Sequence, residues 1–185
     1  MSVSGKEKTF YSYVLWILLS LILVVFLYKL IFPHGFSLHK GMVKVSLYFP
    51  TEDLTKYRKE TRWIRYRNDP QDMARVILQE LAKGPKSVAL SPVIPQGTRV
   101  NGVYIASNGV AYVDFSEQFI KNHPGGSAAE RATVESIFLT LKANIHRIKA
   151  VKFLVNGKEI KQLKGHLDMS LPFYLDFKKT FSSKN

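Results

Sequence analysis

Residues 10–28, FYSYVLWILLSLILVVFLY, form one uncharged apolar run without a polar stripe. At helical rise this comes close to the roughly 20 residues needed to cross the hydrocarbon core of a bilayer. Tyr11, Tyr13 and Trp16 lie toward one end and Tyr28 at the other, with Lys6, Lys8 and Lys29 flanking the run. Amphipathic rings favour the membrane interface, and Lys29 can snorkel, which extends the span to Phe32. Pro33 and Gly35 then stop it. A buried core helix would be shorter and striped, and a cleaved signal peptide would carry a small-x-small site, which KLIFPHGFSLHK does not offer. The pattern predicts a short tail at 1–9, a transmembrane anchor at 10–32 and a linker at 33–41.

Beyond the linker the periods change. Val43, Val45, Leu47 and Phe49 alternate with Lys44, Ser46 and Tyr48, the period of a strand, and Pro50 closes it. Residues 51–60 read as a polar loop, and TRWIRYR at 61–67 as a second, basic strand. Asp69, Pro70 and Asp72 supply an N-cap, a first-turn proline and a capping-box acid for a helix over 70–83. Met73, Val76, Ile77 and Leu81 share its apolar face, and Gly84-Pro85 ends it. Residues 85–98 hold three prolines and one glycine, hence a long ordered loop. RVNGVYIA and VAYVDF flank Ser107-Asn108-Gly109, and a two-residue Asn-Gly turn would set Tyr104 opposite Val113 and Ile105 opposite Tyr112. Both faces of that hairpin come out largely apolar, so it is expected at the centre of a sheet. A short helix or loop at 116–126 precedes a long helix over 127–145 with a stripe of Val134, Ile137, Phe138, Leu141 and Ile145. KAVKFLV is a strand turned back at Asn156-Gly157, residues 166–177 are extended, and 178–185 form a flexible tail. The elements add up to an α+β domain over 42–177: a mixed, largely antiparallel sheet with two main helices on one face.

Charge adds a preference for anionic neighbours. The chain has a formal net charge of +13, and residues 41–185 hold 23 basic against 13 acidic side chains. Lipid headgroups, wall polymers, nucleic acid or an acidic protein would all suit such an excess. The densest stretch is YRKETRWIRYR, where Arg58, Arg62, Arg65 and Arg67 interleave with Trp63 and Tyr66, a pattern that joins charge and bidentate donors to stacking rings. These six residues are the candidate interaction patch; the competing reading puts the rings in the core and the arginines on a solvated face.

Catalytic chemistry finds no foothold. There is no cysteine, which removes disulfides, thiol nucleophiles, thiolate metal sites and cysteine lipidation. The five histidines show no HExxH or similar ligand spacing. Glu130 and Glu135 read as solvated, and Asp114 as a hydrogen-bonding group at a strand end. Gly125-Gly126 lacks the Lys-Ser/Thr ending of a phosphate loop. No cofactor, metal or catalytic residue is assigned.

One set of motifs is specific as a group: VKVSLYFP (43–50), ELAKGP (80–85), SPVIPQGTRV (91–100), NGVAYVDFSEQF (108–119), SIFLTL (136–141), AVKFLVNGKEI (150–160) and LDMSLPF (167–173). In these the chain resembles the GerMN, or germane, domain family of sporulation and spore germination. The resemblance implies a fold related to ring-building motifs of sporulation channel proteins, a single copy of the domain, and a place outside the cytoplasm. It implies contacts with envelope proteins or peptidoglycan and no agreed catalytic residues. The charge count around the anchor does not itself decide orientation.

The resulting expectation is a non-catalytic, single-pass membrane protein of the cell envelope, in contact with the lipid bilayer, with envelope proteins and/or peptidoglycan, and with homo-oligomers left open. Two alternatives stand beside it: a peptidoglycan- or small-ligand-binding or modifying protein with a cryptic site, and a basic polyanion-binding module. Nucleic acid is disfavoured by the expected location.

Overall fold

The computed structural model describes residues 5–31 and 41–174, so the linker expected at 33–41, except its last residue, and the tail at 178–185 lie outside the described residues. The chain divides into two compact units, one on each side of residue 40. The first is helix α1 (Gly5–Ile31). It begins ahead of the uncharged run, inside the stretch expected to be a tail. Over Tyr11–Leu30 it is long and apolar enough to cross a membrane, and none of these side chains is buried.

The second unit has two sheets. β1 (Met42–Pro50) and β2 (Tyr57–Arg65) form an antiparallel ribbon. β3 (Val100–Ile105), β4 (Val110–Phe115), β5 (Ala150–Val155) and β6 (Lys158–Glu159) form the other sheet, in that order. β4 and β5 run parallel and the outer pairs antiparallel. The α+β class is as expected, but the strands divide between two sheets. β2 also starts earlier than read, because residues 57–60 pair with β1 instead of looping.

Helix α2 (Pro70–Ala82) forms where the capping residues place it: the Asp69 carboxylate accepts from the Asp72 amide at 3.0 Å. It packs against β3, β1, β2 and α4, tying the two sheets together. Residues 83–99 form the irregular connection, broken only by an isolated bridge between Leu90 and Thr51. Short α3 (Gln118–Lys121) leads to α4 (Ser127–Asn144).

α4 is not the striped surface helix of the sequence reading. Glu130 and every residue from Ala132 to Leu141 are buried. Small side chains such as Ala132, Ser136 and Thr140 let neighbours approach on several sides. One neighbour is the free edge of β1, where Ser46 and Asn144 exchange hydrogen bonds: the Ser46 amide donates to Asn144 Oδ1 at 3.0 Å, and Asn144 Nδ2 donates to the Ser46 carbonyl at 2.7 Å. The Tyr48 amide donates to Thr140 Oγ1 at 3.0 Å. The helix thus stands in for a third strand, satisfying backbone groups that burial would otherwise leave unpaired.

A single apolar cluster joins the inner face of the ribbon, the faces of α2 and α4, and the buried side of the larger sheet. Phe115, Phe119 and Phe153 stack at its heart, with centroid separations of 4.2–6.5 Å.

Candidate interaction surfaces

The ribbon separates its side chains by strand alternation. Val43, Val45, Leu47, Phe49 and Ile64 join the core. Lys44, Lys59, Thr61, Trp63 and Arg65 are exposed on the opposite side, with Ser46 and Tyr48 half-buried among them. Cross-strand register sets Lys44 beside Trp63 and Tyr48 beside Lys59.

Arg62 departs from the expected patch. It falls on the inner side with Ile64 and is 6% exposed. Its guanidinium reaches Glu60 at 2.9 Å and Glu80 at 3.3 Å, donates to the carbonyls of Glu80 and Gly84, and lies over the Phe49 ring. Glu60 in turn accepts from the amides of Lys86 and Ser87. Burial would raise both carboxyls. For Glu60 the hydrogen bonds from Arg62, Ser87 and Lys86 outweigh it, and for Glu80 those from Lys83 and Arg62, so both titrate below the usual carboxylate range. Arg62 therefore fastens β2 to the end of α2 and the loop beyond. The signal was in the sequence: Arg62 stands two residues from Ile64 and so shares its side of the strand. Of the other patch residues, Arg58 and Arg67 are exposed, as are Arg65, Trp63 and Tyr66.

A half-open cleft of about 430 Å³ lies where the 83–99 loop meets α4. Pro50, Pro92, Pro95 and Pro124 wall it, Lys83 and Gln96 stand at its sides, and His123 and Thr133 also line it. His123 is buried. Its Nδ1 accepts from the Gly125 amide, so Nε2 carries the proton and donates to Thr133 Oγ1 at 3.0 Å, and Thr133 donates onward to the Val93 carbonyl. Burial holds the imidazole below its ordinary pKa, against the pull of Glu130 and with the help of Lys164. Both ring nitrogens are thus engaged in holding the loop against α4.

Two buried charges hold the segment after β6. The Glu130 carboxylate accepts from the amides of His166 and Leu167 and lies 2.9 Å from His166 Nδ1. Burial would raise it, but these bonds outweigh that and bring it below the usual range. Lys152 Nζ donates to the carbonyls of Met169 and Ser170 and pairs with Glu159 at 3.2 Å. Phe173 bridges Val151 through two backbone bonds. Glu135, which also read as solvated, is 8% exposed and accepts from the Tyr57 hydroxyl at 2.7 Å. These roles were not legible, because a helical period marks apolar positions and is silent about a polar one facing a loop distant in sequence.

Asp114 does what its place suggested: Oδ1 accepts from the Gly157 amide and Oδ2 from Asn101. Among the described residues, no group of three His, Asp or Glu side chains is placed to hold a metal ion.

The profile of the Germane family, described as sporulation and spore germination, matches residues 46–161. Solved structures similar to the chain include one described as a lipoprotein from Clostridium perfringens, 27% identical with a TM-score of 0.53 over 73% of this chain and 89% of that one. The tandem GerMN domains of the sporulation protein GerM from Bacillus subtilis are 27% identical, with a TM-score of 0.58 over 71% of this chain and 46% of theirs. The first GerMN domain of the same protein is 25% identical, with a TM-score of 0.55 over 71% of this chain and 97% of that one. No curated protein sequence matches the chain.

Proposed function

The chain belongs to the Germane family of sporulation and spore germination, and from that premise we propose that it is a single-pass, non-catalytic envelope protein whose domain makes contacts on the outer side of the membrane. The observation that carries this reading is α1: the stretch Tyr11–Leu30 has the length and apolarity of a membrane span and no buried side chain, and a bilayer is the environment that would cover it. The C. perfringens neighbour is described as a lipoprotein. This chain has no cysteine to carry a lipid, and the helix takes over the tethering. The half-buried carboxylates of Glu60 and Glu80, the buried one of Glu130 and the imidazole of His123 are engaged within the domain itself, which supports a contact module acting in spore or envelope assembly through proteins or wall polymer. The 83–99 loop is the surface offered to them.

The cleft favours a second reading, a site for a small ligand or a wall fragment, since its volume lies within the range of ligand pockets. His123 is tied at both nitrogens there, which suits a structural histidine better than a general base.

Protease added to intact cells should degrade 41–174 and leave α1 in the membrane fraction. Protection until lysis would overturn the outward orientation. A photo-crosslinking residue at Gln96 should capture envelope proteins or muropeptides in living cells, whereas a cleft that binds purified muropeptide and changes it chemically would establish the alternative.

A further inference from the structure

We propose that the outer side of the β1–β2 ribbon docks on anionic phospholipid headgroups, with Lys44, Lys59 and Arg65 on the phosphates and Trp63 at the level of the glycerol backbone. This deepens the membrane-anchored reading and rests on it.

Three features converge on this face. The first is uncompensated charge. The ribbon strands carry one acid, Glu60, and it is turned inward onto Arg62 and the amides of Lys86 and Ser87. The outward cations therefore have no carboxylate on their own strands. Among the described residues, no ion pair engages Lys44, Lys59 or Arg65. The second is the kind of ring placed among them. Trp63 is 48% exposed, and an indole with one apolar and one polar end prefers the headgroup region. Trp63 lies directly across from Lys44 and two residues before Arg65, so cation and ring would meet the surface together.

The third is the tether. β1 begins at Met42, and the Gly41 carbonyl accepts from the Tyr66 amide, so the Lys44–Arg65 end of the ribbon is the end joined to the chain arriving from α1. Residues 32–40 can span at most roughly 30 Å when fully extended. A surface held by so short a leash meets the bilayer at an effective concentration in the millimolar range, about that of linked binding modules. Each basic residue close to an anionic leaflet then strengthens the contact about fivefold. Salt weakens it, because exposed charges are screened beyond about 8 Å at physiological ionic strength.

The test uses the full chain in vesicles. Trp16 and Trp63 are its two tryptophans, so Trp16→Phe leaves Trp63 as the sole reporter. Vesicles of phosphatidylcholine, with or without phosphatidylglycerol, carry bromine on the acyl chain close to the headgroup. The expected result is a blue shift and bromine quenching of Trp63 with phosphatidylglycerol present, little of either in pure phosphatidylcholine, and reversal by salt. Lys44→Glu with Arg65→Glu should abolish the quenching while leaving the urea midpoint unchanged, and the matching glutamine variants should weaken it about fivefold per residue. Equal, weak quenching of Trp63 in both lipids overturns the proposal, as does a Trp63 shift that requires added wall polymer or a protein fraction. A companion Trp63→Phe chain reports on the anchor through Trp16. Loss of Trp16 quenching condemns the anchor; loss of Trp63 quenching alone condemns only the docking face.

Discussion

Arg62 joins three parts of the domain through one guanidinium. It ties Glu60 on its own strand to Glu80 near the end of α2, and its bond to the Gly84 carbonyl holds the turn that opens the long loop. Its loss costs less than breaking a fully buried pair, about 3–5 kcal/mol, because Glu60 and Glu80 are half-buried and keep the Lys86 and Ser87 amides and Lys83 as partners. Arg62→Ala should therefore lower the urea-unfolding free energy by about 2 kcal/mol. Lysine should rescue it poorly, since an ammonium cannot reproduce the planar fork. By contrast Arg65, exposed three residues later, should tolerate alanine with little change. A wild-type midpoint for Arg62→Ala would show that the network contributes nothing. At this scale the sequence revealed which residues carry charge, while strand alternation was needed to decide which charges are buried. His123 and Glu130 had no such aid, since their partners lie in loops that no local period positions.

Among the elements, the β3–β4 hairpin shows where local reading stopped short. Asn-Gly predicted the turn but not its length. The loop has three residues: the Ala106 amide donates to the Val110 carbonyl, the Gly109 amide to the Ala106 carbonyl, and the Asn108 side chain accepts from the Val110 amide. Only Gly109 takes a positive φ, of 90°. The register is accordingly one residue from the expected one: Val103 faces Val113 and Tyr104 faces Tyr112. That shift sorts the strands cleanly, with Val103, Ile105, Ala111 and Val113 buried and Tyr104 61% exposed. β3 becomes an edge strand, and the central position falls to β4 and β5. Gly109 is fixed twice over, by its φ and because a Cβ would stand 2.7 Å from the Arg147 carbonyl oxygen. Gly109→Ala should cost about 2 kcal/mol and weaken the junction with β5, where the Lys149 amide donates to the Gly109 carbonyl. Thermal unfolding alongside Gly157→Ala makes the comparison, since a Cβ there meets nothing within 4 Å; equal losses would leave the Arg147 contact without effect. The Asn156-Gly157 turn, two residues long with both at positive φ, follows the local rule without correction.

For the molecule as a whole, Glu60, Glu80, Glu130 and His123 set its response to acid. Glu60, Glu80 and Glu130 titrate below their ordinary values in the fold, so they stabilise it above the unfolded carboxyl range and lose that effect as pH falls through the folded one. His123, also lowered, is neutral in the fold and takes up a proton more readily when unfolded, so stability declines as pH drops below about 6.5. Urea midpoints should thus be level, as far as these groups decide, above about pH 7, slope gently down toward pH 5 and fall steeply below about 4.5. His123→Asn should remove the gentle limb and Glu130→Gln part of the steep one; an unchanged profile in both would show that these holds are not coupled to folding. The α+β class and the order of elements were readable because each helix and strand announces itself over a few residues. The division into two sheets was not, because it depends on α2 and α4 coming between strands that local pattern treats alike.

The side chains of Asn144 and Thr140 along β1 bear on how copies of this domain meet. With those groups occupied, β1 resists a newcomer strand at Ser46 and Tyr48, and among the described residues the ribbon's other edge is β2. There Arg58, Lys59 and Arg65 would bring like charges against a second copy laid along that edge, a repulsion that disfavours runaway stacking.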